Sequence, residues 1–229
     1  MGPVNHERII HRVWLGPNQP LARDAAFTDL WQCTHPGWKV MVWDDQAVDS
    51  LLRPLILDEL YEQAPTYVHR ADIVMVEAIH RFGGLYAGWD TEPTRSWEPL
   101  IGGLYGWSTI DVDGFPGGVF GARSGHPAMR ALLATIYAGV QRRGTFSTPN
   151  VDTGPFAWGA TFGLAGRMPG GLEQVGTAKT WAPVHWKQKE LLDDPLFIEG
   201  LRADPEVFSI HYFNGSWLPE SSVDVHVRS

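Results

Sequence analysis

The chain has 229 residues, a formal net charge of -8 and a single cysteine. That length suits one large domain whose core needs no covalent staples, and Cys33 alone closes no internal disulfide. The acidic balance argues against a nucleic-acid binder, which would carry a basic patch or stripe.

Taken in chain order, residues 8–15, "RIIHRVWL", are short, apolar and β-rich, and Gly16 and Pro17 stop them. Pro20 to Cys33 reads as a helix with Leu21, Ala25, Thr28 and Leu30 near one face. "HPGW" is a turn, and "KVMVWDD" is a second strand ending in acids. Residues 45–62 read as one or two helices broken near Pro54. Thr66 to Phe82 is the clearest helix: Thr66 is its N-cap, Val68, Ala71, Met75, Ile79 and Phe82 recur at helical spacing, and Gly83 stops it. A strand over Leu85–Trp89 follows at once.

Residues 93–117, rich in Gly, Pro and Trp, read as a long functional excursion over a site. "GGVFGAR" is a further strand, His126 to Val140 a helix with Pro127 in its first turn, and 150–165 a loop feeding a short helix. A small strand around Val207–Tyr212 precedes "FNGSW". Alternating strands and helices predict an α/β fold with a mostly parallel central sheet and flanking helices, as one domain over 1–229. No run of about 18 apolar residues occurs, so no membrane span is expected. "MGPVNHERIIHRVW" has no apolar signal core, so a cytoplasmic location is the expectation.

Eleven tryptophans are open to two readings, core filling or flat platforms for sugar or nucleobase rings. Two strands end in acids, Asp44–Asp45 and Asp90 with Glu92. In open α/β sheets ligands bind outside the carboxyl ends of strands, and such oxygen donors suit Mg²⁺ or Mn²⁺ with substrate phosphates completing the shell. Asp44 and Asp45 stand where a helix starts and read as capping. Asp72 lies mid-helix on a face with Met75, Val76 and Ile79, where an acid must find a polar partner or sit at the rim of the packing.

The run "ADIVMVEAIHRFGGLYAGWDTE" (71–92) resembles the core of glycosyltransferase family 32, the DXD-type sugar transferases that include Golgi initiating mannosyltransferases and bacterial capsular-polysaccharide transferases. "IIHRVWLG" (9–16), "HPGWKVMVWDD" (35–45), "TGP" (153–155) and "HYFNGSW" (211–217) are similar to that family's other motifs, in the same order. The resemblance implies a glycosyltransferase-A fold and transfer of a sugar, with retained configuration, from a UDP- or GDP-sugar to a glycan or protein acceptor, aided by Mn²⁺ or Mg²⁺. It also implies site residues: Trp14 to stack on the base, Asp72 to contact the donor sugar, and Tyr86, Gly88, Thr153, Gly154, Ser216 and Trp217 around the donor. Asp72 and Asp90 would be the catalytic acids, with Asp90 and His211 at the metal.

Two positions depart from the family pattern. Gly88 stands where the first acid of the DXD motif belongs, and Met75 where an arginine follows Asp72. Glu92 is a candidate replacement ligand only if the backbone bends, because two strand residues displace a side chain by about 6.6 Å. Asp111 and Asp113 are further candidates for the missing charge. The departures keep alive an alternative, a degenerate transferase that binds nucleotide or glycan without turnover.

Overall fold

The structure is a computed structural model that describes residues 7–111, 113–114, 116–163 and 171–214. Its main sheet has six strands: β1 (Ile9–Val13), β2 (Lys39–Trp43), β3 (Gly84–Ala87), β5 (Gly106–Ile110), β6 (Pro116–Ala122) and β7 (Glu173–Gln174), in the order β2-β1-β3-β6-β5-β7. β1 runs parallel to β2 and β3, and β5 parallel to β7, while β6 lies antiparallel to both its neighbours. A separate two-stranded antiparallel sheet pairs β4 (Thr91–Pro93) with β8 (Ser209–His211).

Helices cover both faces. On one side α2 (Tyr67–Phe82) and α3 (Pro127–Arg143) enclose a core with Trp43, Val74, Ile79, Phe120, Leu132 and Trp158. On the other, α1 (Ala22–Thr34) helps bury Phe27, Trp31, Leu85, Trp97, Trp107 and Ile210. The α2 boundaries follow the expected chemistry: the Thr66 hydroxyl accepts the His69 N–H, and Gly83 closes the helix at φ 65°.

Three expectations need correction. The buried face of α1 is Asp24, Phe27 and Trp31, and Leu21 and Leu30 face solvent; the two aromatic rings carry more apolar area than the leucines and turn the helix accordingly. Residues 93–117 are not an open excursion: Gly106–Ile110 is a strand, and Trp97 and Trp107 are fully buried and stacked at 5.9 Å. The third strand ends at Ala87, short of Trp89, because the chain turns at Gly88.

His11, the histidine of "IIHRVW", is structural. Its Nδ1 accepts the Trp43 indole N–H at 2.9 Å, so Nε2 carries the proton and donates to the Gly83 carbonyl at 2.8 Å. Burial pushes its pKa down to about 4. The tie holds the end of α2 against β1 and β2, where the next strand begins.

That strand starts with a glycine no other residue can replace. Gly84 has φ 101°, and a Cβ there would strike the Ile9 carbonyl of β1. Gly84→Ala is expected to destabilise the fold by about 3 kcal/mol or more, read as a lowered denaturant midpoint. An unchanged midpoint would show that the β1–β3 contact yields freely.

Candidate functional site

Beyond Ala87 the chain leaves the main sheet. The Thr91 N–H returns to the Gly88 carbonyl at 3.1 Å, closing a tight turn over Gly88–Thr91, and β4 then joins the second sheet. This turn lifts Asp90 off the carboxyl end of β3. The pairing of Thr91 with His211 brings the C-terminal strand alongside, and His211 Nε2 lies 3.1 Å from Asp90 Oδ1. The second oxygen, Oδ2, accepts the Asn214 main-chain N–H at 3.0 Å.

Beneath the turn lies Arg12 of β1, fully buried. It donates to the Trp89 carbonyl and to Thr28 Oγ1 at 2.9 Å, reaches the Gly88 carbonyl at 3.4 Å, and stacks 4.5 Å from the Trp89 ring centroid. Trp89 also meets Trp14, with centroids 5.6 Å apart. Trp14 is half-buried, and its indole N–H is held by the Asn18 carbonyl at 2.7 Å. A pair of partly open indoles therefore flanks Asp90.

Asp72 approaches from α2 and accepts the Thr153 hydroxyl at 2.6 Å. One helical turn earlier, His69 Nε2 meets Asp152 Oδ2 at 3.2 Å. Consecutive residues 152 and 153 thus dock on a stripe of α2. The main-chain N–H groups of Thr153 and Gly154 are both spent on the Pro149 carbonyl, at 3.0 and 2.8 Å. What this segment offers the site is the Thr153 hydroxyl rather than a free helix N-terminus. Tyr86 of β3 lies within electrostatic reach of Asp72, Asp90 and Arg12.

The structure thus gathers Asp72, Tyr86, Gly88, Asp90, Thr153 and His211, with Trp14 at the edge. It does not bring Glu92 to them. Glu92 is buried, takes the Tyr212 hydroxyl at 2.6 Å on one oxygen and Arg202 at 2.6 Å on the other. Both oxygens are occupied in tying the second sheet together, so the metal role expected of Glu92 is withdrawn. The backbone does bend before Glu92, but the bend turns its side chain into the protein. Asp113 is engaged by His185 and Trp186 instead of Asp90. Asp44 caps the turn after β2 by accepting the Ala47 N–H at 2.7 Å. Met75, in the place of the expected arginine, is core. Ser216 and Trp217 lie outside the described residues.

Four site residues escaped the sequence reading: Arg12, Asp24, Trp89 and Asn214. Arg12 carried a signal, since a cation inside an apolar strand must have partners. Trp89 sits between the two motif positions. Asp24 and Asn214 showed nothing by spacing alone.

A divalent cation is what this kind of site implies. Among the described residues no three His, Cys, Asp or Glu side chains form a ready cage. Asp90 and His211 offer two donors, and the His211 Nδ1 has no hydrogen-bond partner. That set fits an ion shared with a diphosphate and water, as Mg²⁺ and Mn²⁺ are commonly held, and does not fit an all-protein cage.

The two acids differ in charge state. Burial pushes the Asp72 carboxyl up to about 7, and the Thr153 hydrogen bond only partly opposes it. Burial also raises Asp90, but the His211 charge and hydrogen bond and the Asn214 N–H outweigh it and hold Asp90 at about 2. A raised carboxyl pKa means stability fully present below about pH 4 and lost as pH rises through 7. Asp72→Asn mimics the protonated form. Its Tm should match wild type near pH 4 and exceed it by about 2–4 °C above pH 8. A pH-independent difference in thermal melts would place the titration elsewhere.

Comparison with known proteins finds likenesses of sequence and of fold. A family described as "Glycosyltransferase sugar-binding region containing DXD motif" matches residues 22–106. Inositol phosphoceramide mannosyltransferase 3 of Schizosaccharomyces pombe is 25% identical over 135 residues. The match takes in 56% of this chain and 36% of that protein, little more than a third of its length. Among solved structures, PaToxG glycosyltransferase aligns at a TM-score of 0.59 over 70% of this chain and 69% of its own, with 14% identity, a likeness of fold. The galactosyltransferase LgtC, solved with donor and acceptor sugar analogs, covers 96% of this chain and 93% of its own at a TM-score of 0.47 and 13% identity. Residues 22–106 of this chain are thus similar to a glycosyltransferase sugar-binding region containing a DXD motif, and the fold is of the glycosyltransferase-A kind.

Proposed function

We propose that the chain is one glycosyltransferase-A catalytic domain that moves a sugar, with retained configuration, from a UDP- or GDP-sugar to a glycan or protein acceptor. The observation that carries this reading is the Asp90–His211 pair at 3.1 Å, Asp90 being next in the chain to the Trp89 indole that meets Trp14, with Tyr86 in electrostatic reach of both Asp90 and Asp72. The retained configuration rests on the family resemblance. The mannosyltransferase activity in the name of the yeast relative puts GDP-linked donors in the test panel alongside UDP-linked ones.

Each group has a role its environment suits. Trp14 offers a flat face to a base. Asp72, titrating near neutrality, accepts or shares a proton with a donor-sugar hydroxyl, and Thr153 fixes its rotamer. Asp90 stays ionised and, with His211, would hold Mn²⁺ or Mg²⁺. Such a cation neutralises the charge that develops on a departing diphosphate. Arg12 keeps the turn beneath Asp90 in one conformation.

A second reading, binding without turnover, draws on Gly88 and Met75: one acid is absent and the expected arginine position is core. Calorimetry with UDP- and GDP-sugars, with and without MnCl₂, separates the readings when joined to an assay for released diphosphate. Binding to none of the donors would overturn the proposed activity, and tight binding with no release would favour the second reading.

Two variants sharpen the test. Asp90→Asn should abolish metal-dependent donor binding while leaving the melting curve cooperative. A Cβ built on Gly88 lies 3.1 Å from Thr91 Oγ1 and 3.5 Å from Asp90 Oδ1, so a side chain there points toward Asp90. Gly88→Asp should therefore tighten Mn²⁺ binding by about tenfold, since affinity follows ligand charge. No gain in a Mn²⁺ paramagnetic-resonance titration would mean the cation does not sit beside Asp90.

A further inference from the structure

Asn214 is engaged through its main-chain N–H and both polar atoms of its side chain. Its main-chain N–H donates to Asp90 Oδ2 at 3.0 Å, its amide Nδ2 donates to Asp24 Oδ2, and its Oδ1 accepts from Arg23 at 2.8 Å. Arg23 Nε in turn donates to Asp24 Oδ1 at 3.1 Å, and its guanidinium lies 4.0 Å from the Tyr212 ring centroid. Tyr212 is fixed by its own N–H on the Asp90 carbonyl at 3.0 Å and by its hydroxyl on Glu92. The first turn of α1 and the end of β8 are therefore closed into one ring of contacts around Asp90.

Two further features fit a built device. Asp24 is 3% exposed, yet its carboxylate makes no cap to the N-terminus of α1. A buried acid needs partners, and the ones it has are Arg23 and Asn214. Between Tyr212 and Asn214, Phe213 has φ 50°; among the described residues it is the one non-glycine with a positive φ. A bulky residue holds that conformation only where its surroundings over-determine it. The turn it makes aims the Asn214 N–H at Asp90 and seats the Phe213 ring 4.1 Å from His211.

From this geometry we infer that Arg23, Asp24 and Asn214 are positioning residues: a clamp on α1 that locks the end of β8 so that His211 and Asp90 keep the spacing needed to receive a cation and a nucleoside diphosphate together. The inference rests on the reading of the site given above. It adds two residues of α1 to a site otherwise built from strand ends, α2 and the Thr153 segment, and none of the three needs to touch substrate.

The test uses the intact chain and two readouts. The first is the ¹H–¹³C signal of the His211 ring at fixed pH without ligand. The second is the affinity for UDP with MnCl₂, and for GDP with MnCl₂, by calorimetry. Asn214→Ala removes the side-chain bonds to Asp24 and Arg23 but keeps the main-chain N–H on Asp90; it should move the His211 signal and weaken nucleotide–Mn²⁺ binding about tenfold, with Tm within about 2 °C of wild type. Asp24→Asn, which keeps an acceptor for the Asn214 amide, should retain more affinity than Asp24→Ala. The double variant Asp24→Ala/Asn214→Ala should lose no more than the worse single. If Asn214→Ala does not fold, Arg23→Ala carries the same test, because its side chain is 43% exposed. An unmoved His211 signal in a folded variant overturns the clamp. If the wild type binds neither nucleotide, the proposed activity fails while the His211 signal still decides the clamp.

Discussion

The site depends on the chain leaving its main sheet at Gly88. Had β3 simply continued, Asp90 and Glu92 would share one face of one strand, and the C-terminal strand would have nothing to pair with. The turn closed by the Thr91 N–H ends the ladder and starts a second, smaller sheet. Its underside is held by a buried arginine whose hydrogen bonds go to backbone carbonyls and a threonine hydroxyl. Burial lowers the pKa of Arg12 to about 10, with Tyr86, Asp90 and Asp24 opposing the shift, so the group remains a cation at neutral pH. One permanent charge thus serves as the floor of a site whose upper surface is acidic.

Partner choice, more than burial, separates the acids. Asp72, Asp90 and Asp24 all lie in low-dielectric surroundings that disfavour their ionised forms. Asp90 escapes through two donors on its oxygens, His211 and the Asn214 N–H, whereas Asp72 has a single neutral hydroxyl. Two carboxyls pushed to opposite ends of the scale can do different work at one pH, one as a fixed anion and one as a group that exchanges a proton near neutrality.

The fold and much of the site were legible from residue order because their causes are local. Thr66 and Gly83 bound α2 through their own backbone chemistry, and the acids after an apolar strand mark where ligands bind an α/β sheet. The tryptophan question resolves by position: Trp31, Trp38, Trp43, Trp97, Trp107, Trp158 and Trp181 are core, and Trp14 and Trp89 are left half-open at the site. What was not legible is set by tertiary pairing. Glu92 looks like a spare ligand until Tyr212 and Arg202, well over a hundred residues away, take both its oxygens. Leu21 and Leu30, near one face of α1 by spacing, stay in solvent because two larger rings claim the buried side. Arg12 could be suspected of needing partners, but its partners lie in two distant segments, α1 and the turn after β3.

The pairing of Thr91 with His211 spans 120 residues. Contacts of such sequence separation are slow to form, because the entropy of closing the loop must be met before the contact rewards it. The six-stranded sheet can form most of its pairings, from β1 through β7, without that contact. The order of assembly follows: the scaffold comes first, and the second sheet, with His211 on its last strand and Asn214 just beyond it, docks afterwards. By the same logic, this corner opens at lower free energy than the core beneath it. In hydrogen exchange, the amides of Thr91, Glu92 and residues 209–214 would form one cooperative unit, exchanging together ahead of β1 and β3.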